Sequence, residues 1–142
     1  METTGQTALT VETTVKAPVE KVWKYWTGPQ HIIKWNQPTS DWKTTRVEND
    51  CKTGGSFLFA MESEKEKIVF DYKGVYDEII PFVSISAVLD DGRITKQLFS
   101  ASGHGTTITE IFEPDAGFSA EDQQQFSRAV LETFKQYAES QK

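Results

Sequence analysis

The chain is poor in the residues that most often announce chemistry. Among 142 residues there is one cysteine and there are two histidines. Cys51 cannot close an internal disulfide, and no second thiol is available for a thiolate metal site. As a nucleophile it lacks a histidine nearby in sequence. His31 and His104 stand far apart, without an HxH or HExxH spacing, so no metal site is expected. His104 falls in a glycine-flanked hairpin tip and is expected in solvent; His31, in a short-helix corner near Trp35, could border a pocket mouth. Positive charge is also scarce: 15 basic residues face 21 acidic ones, a net charge of −6, which argues against a nucleic-acid partner. No apolar run approaches the roughly 20 residues that span a bilayer, so membrane insertion is not expected. The segment Met1–Thr7 lacks a basic start and an apolar core. It is expected to be flexible, and without a secretory signal the expected location is the cytoplasm. Gly54-Gly55 has neither the lysine nor the strand-to-helix setting of a phosphate loop and reads as a turn. Nothing in the chain calls for a cofactor.

What the chain does have is a strong pattern. Ser119 is a good N-cap with Asp122 three residues on, and Phe126, Ala129, Val130, Phe134, Tyr137 and Ala138 then recur at helical spacing. This long helix, about 123–137, has no upstream helix of similar length to cover its apolar stripe, so a sheet must do so. Upstream, Ala8–Lys16 is rich in threonine and branched residues and predicts a first strand. Pro18, with Val19, Val22, Trp23 and Trp26, predicts a short helix over about 18–26, stopped by Gly28-Pro29. A second helical turn or two covers about 30–34 before Trp35-Asn36-Gln37-Pro38. Strands are then expected over 41–48, from Ser56 to Met61, from Ile68 to Asp77, over 82–89, over 93–100 and over 106–112. The charged run Glu62–Lys67 is expected as a solvated hairpin tip, and Asp90-Asp91-Gly92 as a turn. The result is an α+β fold, a seven-stranded antiparallel curved sheet gripping a long C-terminal helix, with two short helices between strands 1 and 2. No repeat or linker divides it, and residues 1–142 are expected to form one domain.

Period-two alternation assigns inner faces. Phe57, Phe59 and Met61 share one face of the third strand; Ile68, Phe70, Tyr72, Gly74 and Tyr76 share one of the fourth. If a pocket lies between sheet and helix, its expected walls are Trp35, Phe57, Phe59, Met61, Phe70, Tyr72, Val83 and Ile85, with Phe99 and, from the helix, Phe126, Val130 and Phe134. The same residues also serve as plain core. On the last strand two registers are open. If Ile108 and Phe112 face inward, so does Glu110, with Thr95, Gln97 and Phe99 across the hairpin; otherwise Thr107, Thr109 and Ile111 face in and Glu110 meets water. An inward Glu110 must be hydrogen-bonded or carry a raised pKa, the condition of a general acid or base. A glutamate satisfied by Gln97 or a tyrosine hydroxyl is the commoner outcome.

The order and spacing of several pieces carry a resemblance. They are Ala17-Pro18-Val19-Glu20-Lys21-Val22-Trp23 after the threonine-rich strand, Trp35 after the second short helix, and Asp50 leading into Gly54-Gly55-Ser56-Phe57. Tyr72-Lys73-Gly74-Val75-Tyr76 and Gly105-Thr106 complete the set. Together they resemble the START-like helix-grip (SRPBCC) superfamily, in the branch related to the activator of the heat-shock-protein-90 ATPase. The resemblance implies a sheet gripping the last helix, often around a cavity for lipids, sterols, polyketides or other apolar molecules, and no universal catalytic motif.

Three functions follow as expectations. The first is binding of a small apolar or aromatic ligand between sheet and helix, with Glu110, Gln97 and Tyr72 as orienting groups. The second is a protein-interaction module acting on a chaperone or other protein. The third is a cyclase or hydrolase that uses Glu110. Few catalytic candidates place binding ahead of catalysis, and the sequence leaves the oligomeric state open.

Overall fold

Seven strands form one antiparallel sheet because nearly every strand carries an alternating apolar face that needs the same cover. The computed structural model describes residues 8–37, 40–103 and 105–141; the expectations for Met1–Thr7 and His104 lie outside them. In chain order the elements are β1 (Leu9–Val15), α1 (Val19–Thr27), α2 (Pro29–Trp35), β2 (Trp42–Asn49), β3 (Ser56–Ser63) and β4 (Ile68–Ile80). They continue with β5 (Ser84–Leu89), β6 (Ile94–Ser102), β7 (Gly105–Phe112) and α3 (Ala120–Ser140). The strand order β1-β7-β6-β5-β4-β3-β2 is a run of adjacent hairpins closed by one long return, in which β1 pairs with β7. The two short helices carry the chain from one edge of this curved sheet to the other.

Local sequence explains the corner. Pro29 occupies the first turn of α2, where its missing N–H costs nothing. Val22 and Tyr25 of α1 and Ile32 and Trp35 of α2 turn inward. Trp35 Nε1 donates to the Tyr25 carbonyl at 2.8 Å, pinning one helix to the other. Trp26 stacks on Trp35 at 4.8 Å, and Phe134 of α3 meets both rings edge-on at 4.9 Å. His31 belongs to the same corner, with Nδ1 2.6 Å from the Tyr137 hydroxyl. It braces α2 against the end of α3 and does not border the cavity described below. Burial, with Lys24 and Lys34 nearby, holds its pKa below the ordinary value.

The long helix begins as its sequence indicates: Ser119 Oγ accepts the Asp122 N–H at 2.9 Å. It runs to Ser140, three residues past the expected end, and its deepest residues are Leu131, Phe134 and Ala138. Leu131 is missing from the stripe read in the sequence, yet it is 1% exposed. The reason is where the helix lies. It packs along β1, whose outer edge has no strand beside it, and its polar side chains take up that edge. Gln124 Nε2 donates to the Thr10 carbonyl at 3.0 Å, Lys135 Nζ donates to the Thr14 carbonyl at 2.7 Å, and Glu139 Oε2 accepts the Lys16 N–H at 2.9 Å. The C-terminal half of α3 is further fixed by Thr133 Oγ1, which donates to the Trp35 carbonyl at 2.7 Å. The helix is thus gripped at one sheet edge and at the α1–α2 corner. Its N-terminal half stands over the rest of the sheet.

Strand ends shift from expectation by one to three residues, and the shift between β4 and β5 has consequences. β4 continues through a register shift between Tyr76 and Glu78 as far as Ile80, just before Pro81. β5 accordingly begins at Ser84, and Phe82 and Val83 fall in the connection, 46% and 50% exposed. Phe82 has φ 68, in the left-handed region where an aromatic residue is unusual. At the hairpin tip after β3, Glu64 to Lys67 are exposed as the charged run suggests, but Ser63 is not. Ser63 is 1% exposed and donates to Asp41, which also accepts the Lys65 N–H at 2.8 Å, tying the tip to the start of β2. Among the described residues, no helix is long and apolar enough to cross a membrane.

Candidate functional site

Between the concave face of the sheet and the N-terminal half of α3 lies a cavity of about 620 Å³. It follows from the way α3 is held. Held along β1 from Gln124 to Glu139, the helix does not also descend onto β3 and β4, and aromatic side chains line the space that remains. Its floor is Phe57, Phe59 and Met61 of β3, Phe70, Tyr72 and Tyr76 of β4, and Ile85 of β5. Phe57 stacks on Tyr76 at 5.0 Å and meets Phe59 and Tyr72 at 5.5 and 5.6 Å. Phe126 and Val130 form the helix side. Trp35 and Trp26 close the end beneath the helical corner, and Trp42 stands between Phe70 and Phe126 at 6.2 and 6.0 Å.

One wall is different. Thr95, Gln97 and Glu110 project into the apolar space from β6 and β7, where Gln97 lies directly opposite Glu110 in the strand register. Gln97 Nε2 donates to Thr95 Oγ1 at 3.0 Å and to Glu110 Oε2 at 2.8 Å. Tyr72 of β4 borders the same stretch of wall, and Thr95, Gln97 and Glu110 form one hydrogen-bonded chain across β6 and β7. Of the two registers open for β7, the fold adopts the one with Thr106, Ile108 and Glu110 inward. Thr106 and Ile108 are fully buried, and Thr106 Oγ1 donates to the Ala17 carbonyl at 2.8 Å.

The electrostatics follow from burial. Glu110 remains partly accessible to a water-sized sphere through the cavity, but protein surrounds it on the other sides. That desolvation raises its pKa to about 7, against the Gln97 hydrogen bond, which pulls it down. Among the described residues Glu110 Oε1 has no hydrogen-bond partner. Since no fully buried side-chain oxygen or nitrogen among the described residues is unpaired, that atom faces the open cavity. Tyr72 is held well above its ordinary value, by burial first and by the Glu110 carboxylate second. Tyr76 is raised as well, chiefly by burial; its hydroxyl donates to Asn49, whose Nδ2 donates to the Thr27 carbonyl at 2.7 Å.

The structure brings together most of the residues singled out in the sequence. Trp35, Phe57, Phe59, Met61, Phe70, Tyr72, Ile85, Gln97, Glu110, Phe126 and Val130 all border the cavity. Three do not. Val83 is lost to the connection before β5, half exposed. Phe99 is inward on β6 but lies beneath α1, 5.1 Å from Trp23 and 5.9 Å from Trp26. Phe134 is fully buried where α3 meets the corner and is core. Sequence reasoning passed over Trp26, Trp42 and Tyr76, although Tyr76 shares the alternating face of Tyr72 and could have been taken with it. Arg93 had no such signal: it follows the β5–β6 turn, and its Nε lies 2.7 Å from Asp91 Oδ2.

Cys51 lies outside the cavity wall, and burial, with Asp50 alongside, pushes its thiol above the ordinary value, the opposite of an activated nucleophile. Among the described residues no three His, Cys, Asp or Glu side chains converge as metal ligands.

Comparisons with known proteins agree on the architecture. A solution structure of an AHSA1-like protein from Aeromonas hydrophila superposes with a TM-score of 0.87 at 30% identity, covering 94% of this chain and 93% of the other. A Cytophaga hutchinsonii protein is 41% identical with a TM-score of 0.80, over 92% and 90% of the two chains. A Chromobacterium violaceum protein shares the fold at 17% identity, with a TM-score of 0.85 and 95% and 99% coverage. No functionally curated protein matches. The family described as "Activator of Hsp90 ATPase homolog 1-like protein" matches residues 16–139, and by that match the chain belongs to this family, on a START-like helix-grip fold.

Proposed function

We propose that the protein binds a small, largely apolar molecule in the cavity between its sheet and α3, as a single START-like domain working in the cytoplasm. The observation that carries this reading is a cavity of about 620 Å³ with one polar chain on its wall. Protein interiors are packed as tightly as organic crystals, so space of this size is costly to keep unless something fills it. It lies within the roughly 300–1,000 Å³ of small-molecule sites, and an apolar lining with a few placed polar groups is their usual composition. Aromatic walls supply affinity; Glu110, Gln97 and Tyr72 supply orientation.

Native mass spectrometry of the protein purified from its own host tests the reading without a guess about the ligand. A reproducible bound mass that disappears on denaturation is the expected result. An empty protein that also leaves its tryptophan fluorescence unchanged across a lipid and polyketide panel would overturn it, because Trp26, Trp35 and Trp42 all border the cavity.

One observation favours a second reading, acid–base catalysis: a cavity carboxyl with a pKa raised to about 7 can both give and take a proton near neutrality. Unchanged turnover of a Glu110→Gln variant on a substrate found by the same route would remove it. The chaperone-directed reading rests on the family name, and the cavity geometry adds nothing to it.

A further inference from the structure

The charges around the cavity are lopsided. Five carboxylates border it: Glu110 deep on the wall, and Glu66, Glu113, Asp115 and Asp122. Arg93 is the one cation among the described residues of that wall, and Asp91 already engages it at 2.7 Å. Glu113 and Asp115 each accept a backbone N–H, from Ile94 and Gly117 at 2.9 Å, so hydrogen bonds orient them without cancelling their charge. Low-dielectric walls focus such a field into the cavity. Within it, Glu110 Oε1 faces open space unpartnered, and the group bonded to the other oxygen is a neutral amide. A deprotonated carboxylate is acceptor-only, so a partner for Oε1 must bring a hydrogen-bond donor. The aromatic faces of Phe57, Phe59, Tyr72 and Tyr76 line the same space, and such faces attract cations.

From these observations we infer that the ligand is a hydrophobic amine, an apolar body ending in an ammonium group that meets Glu110, and that the cavity rejects the corresponding carboxylate. The inference rests on the binding function proposed above and names its chemical class. An incoming carboxylate would meet five like charges, and Arg93 has its countercharge already. A protonated amine would give buried Glu110 the partner that the fold does not.

The pH dependence has a definite sign. The groups that share the cavity with Glu110 are Glu66 between β3 and β4, Tyr72 and Tyr76 on β4, Arg93 before β6, Glu113 after β7, and Asp115 and Asp122 on the α3 side. Tyr72, held well above its ordinary value by burial, stays neutral throughout, while Glu110 titrates near 7. Below that pH an ammonium must displace a proton, so its affinity rises by about tenfold between pH 6 and pH 8, following the ionised fraction of the acid.

The test is isothermal calorimetry with decylamine, decanol and decanoate, which share one apolar chain. At pH 8 the expected order is amine, then alcohol, then carboxylate, with the amine at least about tenfold tighter than the carboxylate, the size of one uncompensated charge contact. Glu110→Gln, checked for folding by circular dichroism, should collapse that ratio and remove the rise between pH 6 and pH 8. Decanoate binding as well as decylamine, or a preference that survives Glu110→Gln, overturns the inference. If decanol binds and the amine binds no better, only the amine assignment fails. If none of the three binds, the binding function fails with it.

Discussion

Replacing Glu110 by glutamine should stabilise the folded protein at alkaline pH and leave it nearly unaltered at acidic pH. The fold raises the Glu110 pKa from 4.5 to about 7, so between those values the folded chain holds a proton that the unfolded chain has released. Stability from this group is therefore fully present below pH 4.5, falls as pH rises, and is lost above about 7. Each pK unit is worth about 1.4 kcal/mol, which sets a ceiling of about 3.5 kcal/mol for the difference. Water reaching the cavity screens the charge, so a gain of about 2–3 kcal/mol is expected for Glu110→Gln at pH 8. In a domain of this size that corresponds to a melting-temperature rise on the order of 5–10 °C. Urea unfolding of both proteins at half-unit steps from pH 4 to pH 8.5 reads it directly. The other carboxylates contribute equally to both curves, and the difference isolates Glu110. Parallel curves, with no divergence above pH 5, would refute the claim that the carboxyl is desolvated by the wall around it.

Two further predictions separate core from cavity and test a close backbone approach. Phe134→Ala should cost about 3–5 kcal/mol in urea unfolding, since Phe134 is fully buried between Trp26 and Trp35, while Phe126→Ala, at a residue 38% exposed, should cost about 1 kcal/mol or less; similar losses at both would mean that the helix is packed along its whole length. Gly105→Ala should destabilise by at least about 2 kcal/mol, because its φ of 145 suits glycine and a Cβ would sit 2.0 Å from the Val15 carbonyl oxygen, whereas Gly103→Ala, with nothing within 4 Å, should be close to neutral by the same measurement.

Much of the architecture is carried by local pattern. The proline before α1, the Ser119 cap, the alternation through Phe57–Met61 and Ile68–Tyr76, and the Asp-Asp-Gly turn each have a short-range physical cause, and all appear where the sequence places them. The cavity wall was legible to the same extent, because period-two alternation decides which face of a strand a residue occupies. Position along the strand was not legible. Phe99 and Gln97 share a face on β6, but one lies under α1 and the other on the cavity. Val83 was misplaced because the bulge after Tyr76 lengthens β4 and shortens the start of β5, and no local propensity encodes a register shift.

The sequence by itself determined the element order, the inward sets of β3 and β4 and the start of the long helix, since these depend on neighbours a few residues away. Tertiary structure alone decided three things: which register β7 takes, and so that Glu110 faces inward; that α3 binds the free edge of β1; and that a cavity remains between the helix's N-terminal half and the sheet. Each of these depends on contacts between residues remote in the chain. Glu139 on the Lys16 amide and Thr133 on the Trp35 carbonyl are such contacts, and no window of sequence contains both partners with a reason to join them.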